Sequence, residues 1–293
     1  MNVKMENLKT DERRRALSRL GLPAVRGVLA LLAATAAFST FLHLQAANRD
    51  SGVRKGGAVR DVDGNEYQTV VIGRQEWMAG NLRTTRLNDG TAIPEVKAPD
   101  EWSRQMTPAL AWYGNNAGAH KPGYGALYNW YAVSSGKLCP KGWRVPTDAD
   151  WQIMVDSLGG KTVAGGKLKS KMTSEAAGPD ISESELEVEK PNYVPDARDA
   201  SAKALPSEVQ KAPAWNGPNT AATNEVGFSA VPGGRRPDIS SDFGGKGLMG
   251  NWWTSSDSAL VIGWYRRMSY DNSHVIRMTA HKSDGLSVCC IRE

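Results

Sequence analysis

The residues best suited to chemistry cluster near the C-terminus. Trp252, Trp253, Tyr265 and Tyr270 offer aromatic faces, and Asp271 and Asn272 place a carboxylate and an amide beside them. Aromatic faces stack on the C–H faces of sugars while amides and carboxylates bond the hydroxyls, so these six are the candidate ligand-binding residues. Trp252 and Trp253 are adjacent on an expected strand, where successive side chains point to opposite faces, so one is expected inward and the other outward. No catalytic residue is assigned. His274 and His281 lie in a polar hairpin without a nucleophile motif, and His120 lies in a loop.

Metal chemistry finds little support. Asp61, Asp63 and Asn65 resemble the opening of an EF-hand loop, but Ile72 stands at the twelfth position, where a bidentate acid belongs, and no helices flank the segment. A turn is the better reading. No metal ligand is therefore assigned and no cofactor is expected, with calcium the weaker alternative. Sulfur chemistry rests on Cys139, Cys289 and Cys290. In an oxidising compartment three cysteines predict one disulfide and one spare thiol. Cys289 and Cys290 are neighbours on an expected strand, so one of them should face inward toward Cys139.

The elements that must position these residues are short. Val59 to Trp77 reads as a β-hairpin turning at Asp61 to Asn65, with Tyr67, Thr69 and Val71 alternating beyond it. Thr147 is an N-cap, Asp148 and Asp150 fall in the first turn, and Trp151, Met154, Val155 and Leu158 recur at helical spacing before Gly159 and Gly160 stop the helix. Residues 110–134 concentrate Trp112, Tyr113, Tyr124, Tyr128, Trp130 and Tyr131, with periodicity that suits a helix or a strand equally. Three strands at hairpin spacing close the chain: Ile262 to Tyr270, His274 to Thr279 and Leu286 to Arg292. Ten tryptophans beside thirty glycines point to a loop-rich, aromatic-packed domain rather than a helical bundle.

Two segments stand apart. Residues 170–213, with Glu183, Glu185, Glu187 and Glu189 alternating and few large apolar residues, read as an acidic flexible insertion. Residues 1–47 hold seven Lys/Arg and three Asp/Glu, so most of the +5 formal net charge belongs there and composition makes no case for nucleic-acid binding. Their basic stretch precedes an uncharged apolar run from Gly27 to Leu42, about 24 Å long as a helix against a hydrocarbon core of about 30 Å. This predicts a signal peptide in preference to an N-terminal membrane anchor, and hence export to the periplasm, cell surface or medium. No lipobox cysteine follows the run. Residues 48–58 read as a linker, and membrane contact is expected only through the N-terminal segment if it is not cleaved.

A series of ordered motifs carries a resemblance. Asp63 to Asn65, Trp77 to Leu82, Asn88 to Thr91, Tyr124 to Tyr131, Cys139 to Trp151, Gly227 to Gly234, Trp252 to Ser256 and Gly285 to Arg292 closely resemble the Fibrobacter succinogenes major paralogous domain family of exported bacterial proteins. The resemblance spans residues 59–293. It implies an α+β fold, an irregular C-type-lectin-like domain with short antiparallel strands, one or two helices and long loops, distantly similar to formylglycine-generating, sulfatase-modifying enzymes. It also implies that Cys139 pairs with Cys290, leaving Cys289 as the odd and exposed thiol.

The expected function is non-catalytic recognition or surface architecture, with a glycan or a cell-surface protein as partner. The alternatives are an enzyme related to the formylglycine-generating oxidases and a structural assembly subunit of the cell envelope.

Overall fold

The computed structural model describes residues 54–171, 213–238 and 242–293. The expected targeting segment and nearly all of the acidic insertion lie outside these residues. Strand β1 (Arg54–Arg60) begins inside the segment read as a linker, and pairs antiparallel with β2 (Glu66–Ile72). The turn between them is built by one side chain. The Asp61 carboxylate accepts from the amides of Asp63 and Asn65 at 3.0 and 2.9 Å, from Asn65 Nδ2 at 2.8 Å and from the Tyr67 hydroxyl at 2.6 Å. The acid that opened the calcium-like motif is therefore spent on holding its own turn.

β2 turns into β3 (Gln75–Met78), and the sheet is completed by the last strand of the chain, β12 (Ile291–Arg292), and by β6 (Trp143–Arg144), in the order β1-β2-β3-β12-β6. A second five-stranded sheet runs β11-β10-β9-β7-β8, from β7 (Gly233–Arg235), β8 (Gly244–Lys246), β9 (Met249–Ala259), β10 (Ile262–Ser269) and β11 (Ile276–His281). β4 (Leu110–Ala111) and β5 (Leu127–Tyr128) form a two-stranded ribbon. The fold is α+β and sheet-rich. Of the three closing strands, two form the edge of the second sheet and the third pairs with β3 of the opening hairpin in the first.

Among the described residues there are five short helices, more than the one or two expected: α1 (Pro99–Ser103), α2 (Ala117–Tyr124), α3 (Trp130–Ser134), α4 (Asp148–Ser157) and α5 (Ala164–Leu168). The aromatic stretch thus becomes both strand and helix. Only α4 was legible in advance, because its capping box is local. The Thr147 hydroxyl accepts from the Asp150 amide at 3.1 Å and the Asp150 carboxylate accepts from the Thr147 amide at 2.7 Å. Asp148 then ties the helix start to the second sheet, accepting from buried Arg266 at 2.7 Å and from Arg277 at 2.8 Å. The Arg277 guanidinium in turn lies 3.3 Å above the Trp264 ring.

The hydrophobic core has two main parts. One gathers Trp77, Trp151, Phe228 and Trp252 with the apolar face of α4; the other gathers Tyr128, Trp253, Tyr265 and Leu286. Aromatic rings meet edge-on, with Trp77 and Trp151 centroids 5.3 Å apart and Trp253 and Tyr265 centroids 6.2 Å apart. Cys139 and Cys290 form a disulfide across 151 residues, as the resemblance implied. Cys289 points the other way, into the first core. It is buried, not exposed, and burial pushes its thiol well above the usual range.

The disulfide closes a very long loop, so the double replacement Cys139→Ala, Cys290→Ala is expected to cost about 2–5 kcal/mol in denaturant unfolding. In the same preparation, a thiol reagent should find no reactive cysteine in the native wild type and one after unfolding. Rapid native labelling would place Cys289 at the surface and overturn its assignment to the core.

Candidate functional site

The six candidate residues do not converge on a surface. Trp252 and Trp253 are both fully buried, contrary to the expectation that one would face solvent. The alternation itself is correct. β9 is a central strand with core on both faces, so the inward and outward side chains each meet a packed layer. Trp252 Nε1 donates to Asn81 Oδ1 at 2.8 Å, and Trp253 Nε1 donates to the Tyr128 carbonyl at 2.8 Å. Tyr265 is paired opposite Trp253 and is buried with it. Its hydroxyl accepts from Arg267 Nη2 at 2.8 Å.

Tyr270, Asp271 and Asn272 form the turn at the far end of β10. Tyr270 is half-buried against the first core. Asn272 Oδ1 accepts the His274 amide at 2.9 Å and its Nδ2 donates to Asp271 at 2.8 Å, which makes it a turn-building residue. Buried Lys169 staples the turn from below through the carbonyls of Ser269 and Asn272, at 3.0 and 2.9 Å, with its pKa lowered to about 8 by burial. Asp271 alone of the six presents an exposed polar group.

The structure instead assembles a half-exposed aromatic patch from three separate segments. A 3-10 turn (Tyr113–Asn115) supplies Tyr113, α2 supplies His120 and Tyr124, and the β7–β8 hairpin supplies Phe243 and Lys246. Tyr113 lies 5.5 Å from His120 and 5.3 Å from Phe243, and His120 lies 5.8 Å from Tyr124, centroid to centroid. Interplanar angles of 64°, 53° and 58° make these rings the inclined walls of a corner. The Lys246 ammonium stands 5.4 Å from the Tyr113 ring centre and 5.8 Å from that of Tyr124, and 3.0 Å from His120 Nε2.

Glycine makes this approach possible. Gly234 has φ of +69°, and a Cβ there would meet the Gly244 carbonyl at 2.5 Å and the Tyr113 ring at 2.8 Å. Exposed Asn216 borders the patch, its backbone N–H donating to the Gly247 carbonyl at 2.9 Å. Sequence reasoning noted the aromatic stretch and the loop position of His120. It had no signal to join them to Lys246, which lies 126 residues further on.

A second polar cluster lies on the other side of β7. Buried Asp284 accepts the Asp238 amide at 2.9 Å, Arg235 Nη1 lies 4.0 Å from its other oxygen, and His281 Nδ1 lies 3.0 Å from the Asp238 carboxylate. Burial raises the Asp284 pKa to about 6, against the pull of the Asp238 amide, Arg235 and His281. Among the described residues no group of three or more His, Cys, Asp and Glu is arranged to hold a metal ion.

The model of the Fibrobacter succinogenes major domain matches residues 70–292. No curated protein and no solved structure matches the chain significantly.

Two expectations follow from these environments. Trp253→Ala removes a buried ring from the core and should cost about 3–5 kcal/mol in thermal or denaturant unfolding. Asp284 binds its proton more tightly when folded, so its contribution to stability should fall as pH rises from about 4 to about 6 and level off above. Asp284→Asn keeps the acceptor for the Asp238 amide without the buried charge. It is expected to gain about 1–3 kcal/mol at pH 7.5 and to match wild type near pH 4. A loss at pH 7.5 would mean that the Arg235 pair outweighs the cost of burying the carboxylate.

Proposed function

The chain belongs to the Fibrobacter succinogenes major domain family, and within that family we propose that it is an exported, non-catalytic recognition protein that binds glycan. One observation carries the reading: the inclined rings of Tyr113, His120 and Tyr124 stand half-exposed around Lys246, with the Asn216 amide at the rim. Rings offer stacking faces to a pyranose, while an ammonium and an amide bond its hydroxyls. These groups come from loops and short elements set on two sheets, the usual place for binding residues on a rigid scaffold.

Export is supported by the apolar run near the N-terminus and by the Cys139–Cys290 disulfide, which belongs to an oxidising compartment. A C-type-lectin-like fold is supported by the terminal strand β12, which returns to pair with β3 of the opening hairpin, and by the long ordered segments between short strands. An oxidase of the formylglycine-generating kind, or an assembly linked through Cys289, would need an accessible thiol. Cys289 is buried with a raised pKa, which takes support from both.

A glycan array probed with the purified full chain tests the reading. Binding should be selective, unchanged by a chelator, and lost in Tyr124→Ala at an unchanged melting temperature. Asp271→Ala, at the distant turn, should bind as wild type does. A folded protein that retains no glycan, or whose binding follows Asp271 rather than Tyr124, would remove the patch from consideration.

A further inference from the structure

We infer that the Tyr113–Tyr124 patch selects anionic glycans, with the acidic group of the sugar seated on Lys246 and its C–H face against a flanking ring. This rests on the reading of the patch as a glycan surface and adds the chemical class of the sugar. The argument begins with the charge of Lys246. Lys97, Lys137, Lys167 and Lys282 each have a carboxylate within 3.4 Å. Among the described residues Lys246, like Lys55, Lys121, Lys141 and Lys161, has none within ion-pairing distance; it differs in having the His120 nitrogen and two aromatic rings as its neighbours.

The hydrogen bonds then fix the state of His120. The Lys246 ammonium has only protons to give, so Nε2 of His120 must accept. The proton therefore resides on Nδ1, which donates to the Asn116 carbonyl at 3.1 Å. Burial and the neighbouring Lys246 charge both hold the His120 pKa below its ordinary value, so the imidazole is neutral at physiological pH. The Tyr113 and Tyr124 hydroxyls stay protonated, since burial raises both. Of Tyr113, His120, Tyr124 and Lys246, only Lys246 is therefore charged, as an exposed ammonium. One of its N–H groups is engaged by His120, which leaves two for an acceptor.

The walls add selectivity for a ring-shaped anion over a free ion. Tyr113 and Tyr124 flank the ammonium, so a pyranose carrying an acid can lie on one face while its acidic oxygens reach Lys246. A carboxylate and a sulfate ester share this chemistry. Gly245 and Gly247 flank Lys246 with φ of +76° and +83°, a backbone path that side-chain-bearing residues rarely adopt, and His120 then holds the ammonium between the rings.

The test is calorimetry of the full chain with three oligosaccharides of equal length: an oligogalacturonate, a sulfated galactan fragment and a neutral galactan fragment. At low salt at least one charged oligosaccharide should bind tenfold or more tighter than the neutral one. Lys246→Gln should erase that preference, bringing the charged sugars to the affinity of the neutral one at an unchanged melting temperature, and Lys246→Arg should restore most of it. Equal affinity for charged and neutral sugars would overturn this inference and leave glycan binding standing. A charge preference that survives Lys246→Gln would overturn it too, by placing the anion elsewhere. Absence of binding to any of the three, together with a blank array, would end both readings.

Discussion

The last eight residues before Glu293 hold the two sheets together, and the structure depends on how their backbone is satisfied. The stretch from Gly285 to Ile291 is buried throughout. A buried backbone must find partners for every amide and carbonyl, and this one finds them in turn on unrelated segments. Gly285 exchanges hydrogen bonds with Arg236, and Leu286 with Tyr128. Ser287 bonds Asn251 and Trp253, and the Val288 and Cys290 carbonyls accept from Leu82 and Met78. Ile291 finally pairs with Trp77 and Arg144 in the first sheet. One strand's length of chain thus touches nearly every layer. At its start Gly285 leaves no room for a side chain, since a Cβ would meet the Trp102 ring at 2.9 Å and the Arg236 side chain at 3.2 Å.

Two consequences follow for the interior. Adjacent residues on a threaded segment point into different cores, which is why Cys290 reaches Cys139 while Cys289 is sealed among Trp77, Trp151 and Trp252. The same two-sided burial applies to β9, whose neighbour in space is this segment. Asn81 then links the pieces. Its Nδ2 donates to the Tyr124 carbonyl at 2.7 Å and to Ser287 Oγ at 3.1 Å, and its Oδ1 accepts from Trp252. Tyr124 leaves the core region at this point to become part of the exposed patch. The patch is therefore anchored to the threaded segment through one buried amide.

What the sequence revealed followed the range of the forces involved. The Asp61–Asn65 turn and the Thr147 cap are local, because side chain and backbone lie within a few residues of each other. The disulfide was legible through the resemblance, which carries pairing information that spacing alone does not. The burial of both Trp252 and Trp253 was not legible. Strand periodicity states that they face opposite ways, and only the arrangement of sheets and threaded segment decides that both ways are inside. The patch was hidden for the same reason. Tyr113 and His120 meet Lys246 through a hairpin whose glycines look, in sequence, like any other loop.

The buried cations sharpen the case for Lys246. A loop-rich fold leaves many carbonyls outside any ladder, and this chain satisfies several with long basic side chains. Lys169 serves the carbonyls of Ser269 and Asn272, Lys282 that of Leu260, and Arg236, sandwiched between Trp102 and Phe243, those of Val96 and Lys97. Burial lowers the Arg236 pKa to about 10, the mark of a charge kept in place for its hydrogen bonds. Each of these cations costs desolvation energy and returns it as backbone satisfaction. Lys246 fits neither side of that balance. It remains in solvent, loses little hydration, and serves no carbonyl among the described residues. Its distance from Tyr113, His120 and Tyr124 is set by a hairpin that tolerates no side chain at Gly234. A charge held so closely against aromatic rings, with two of its N–H groups left over after His120, suits a partner outside the chain.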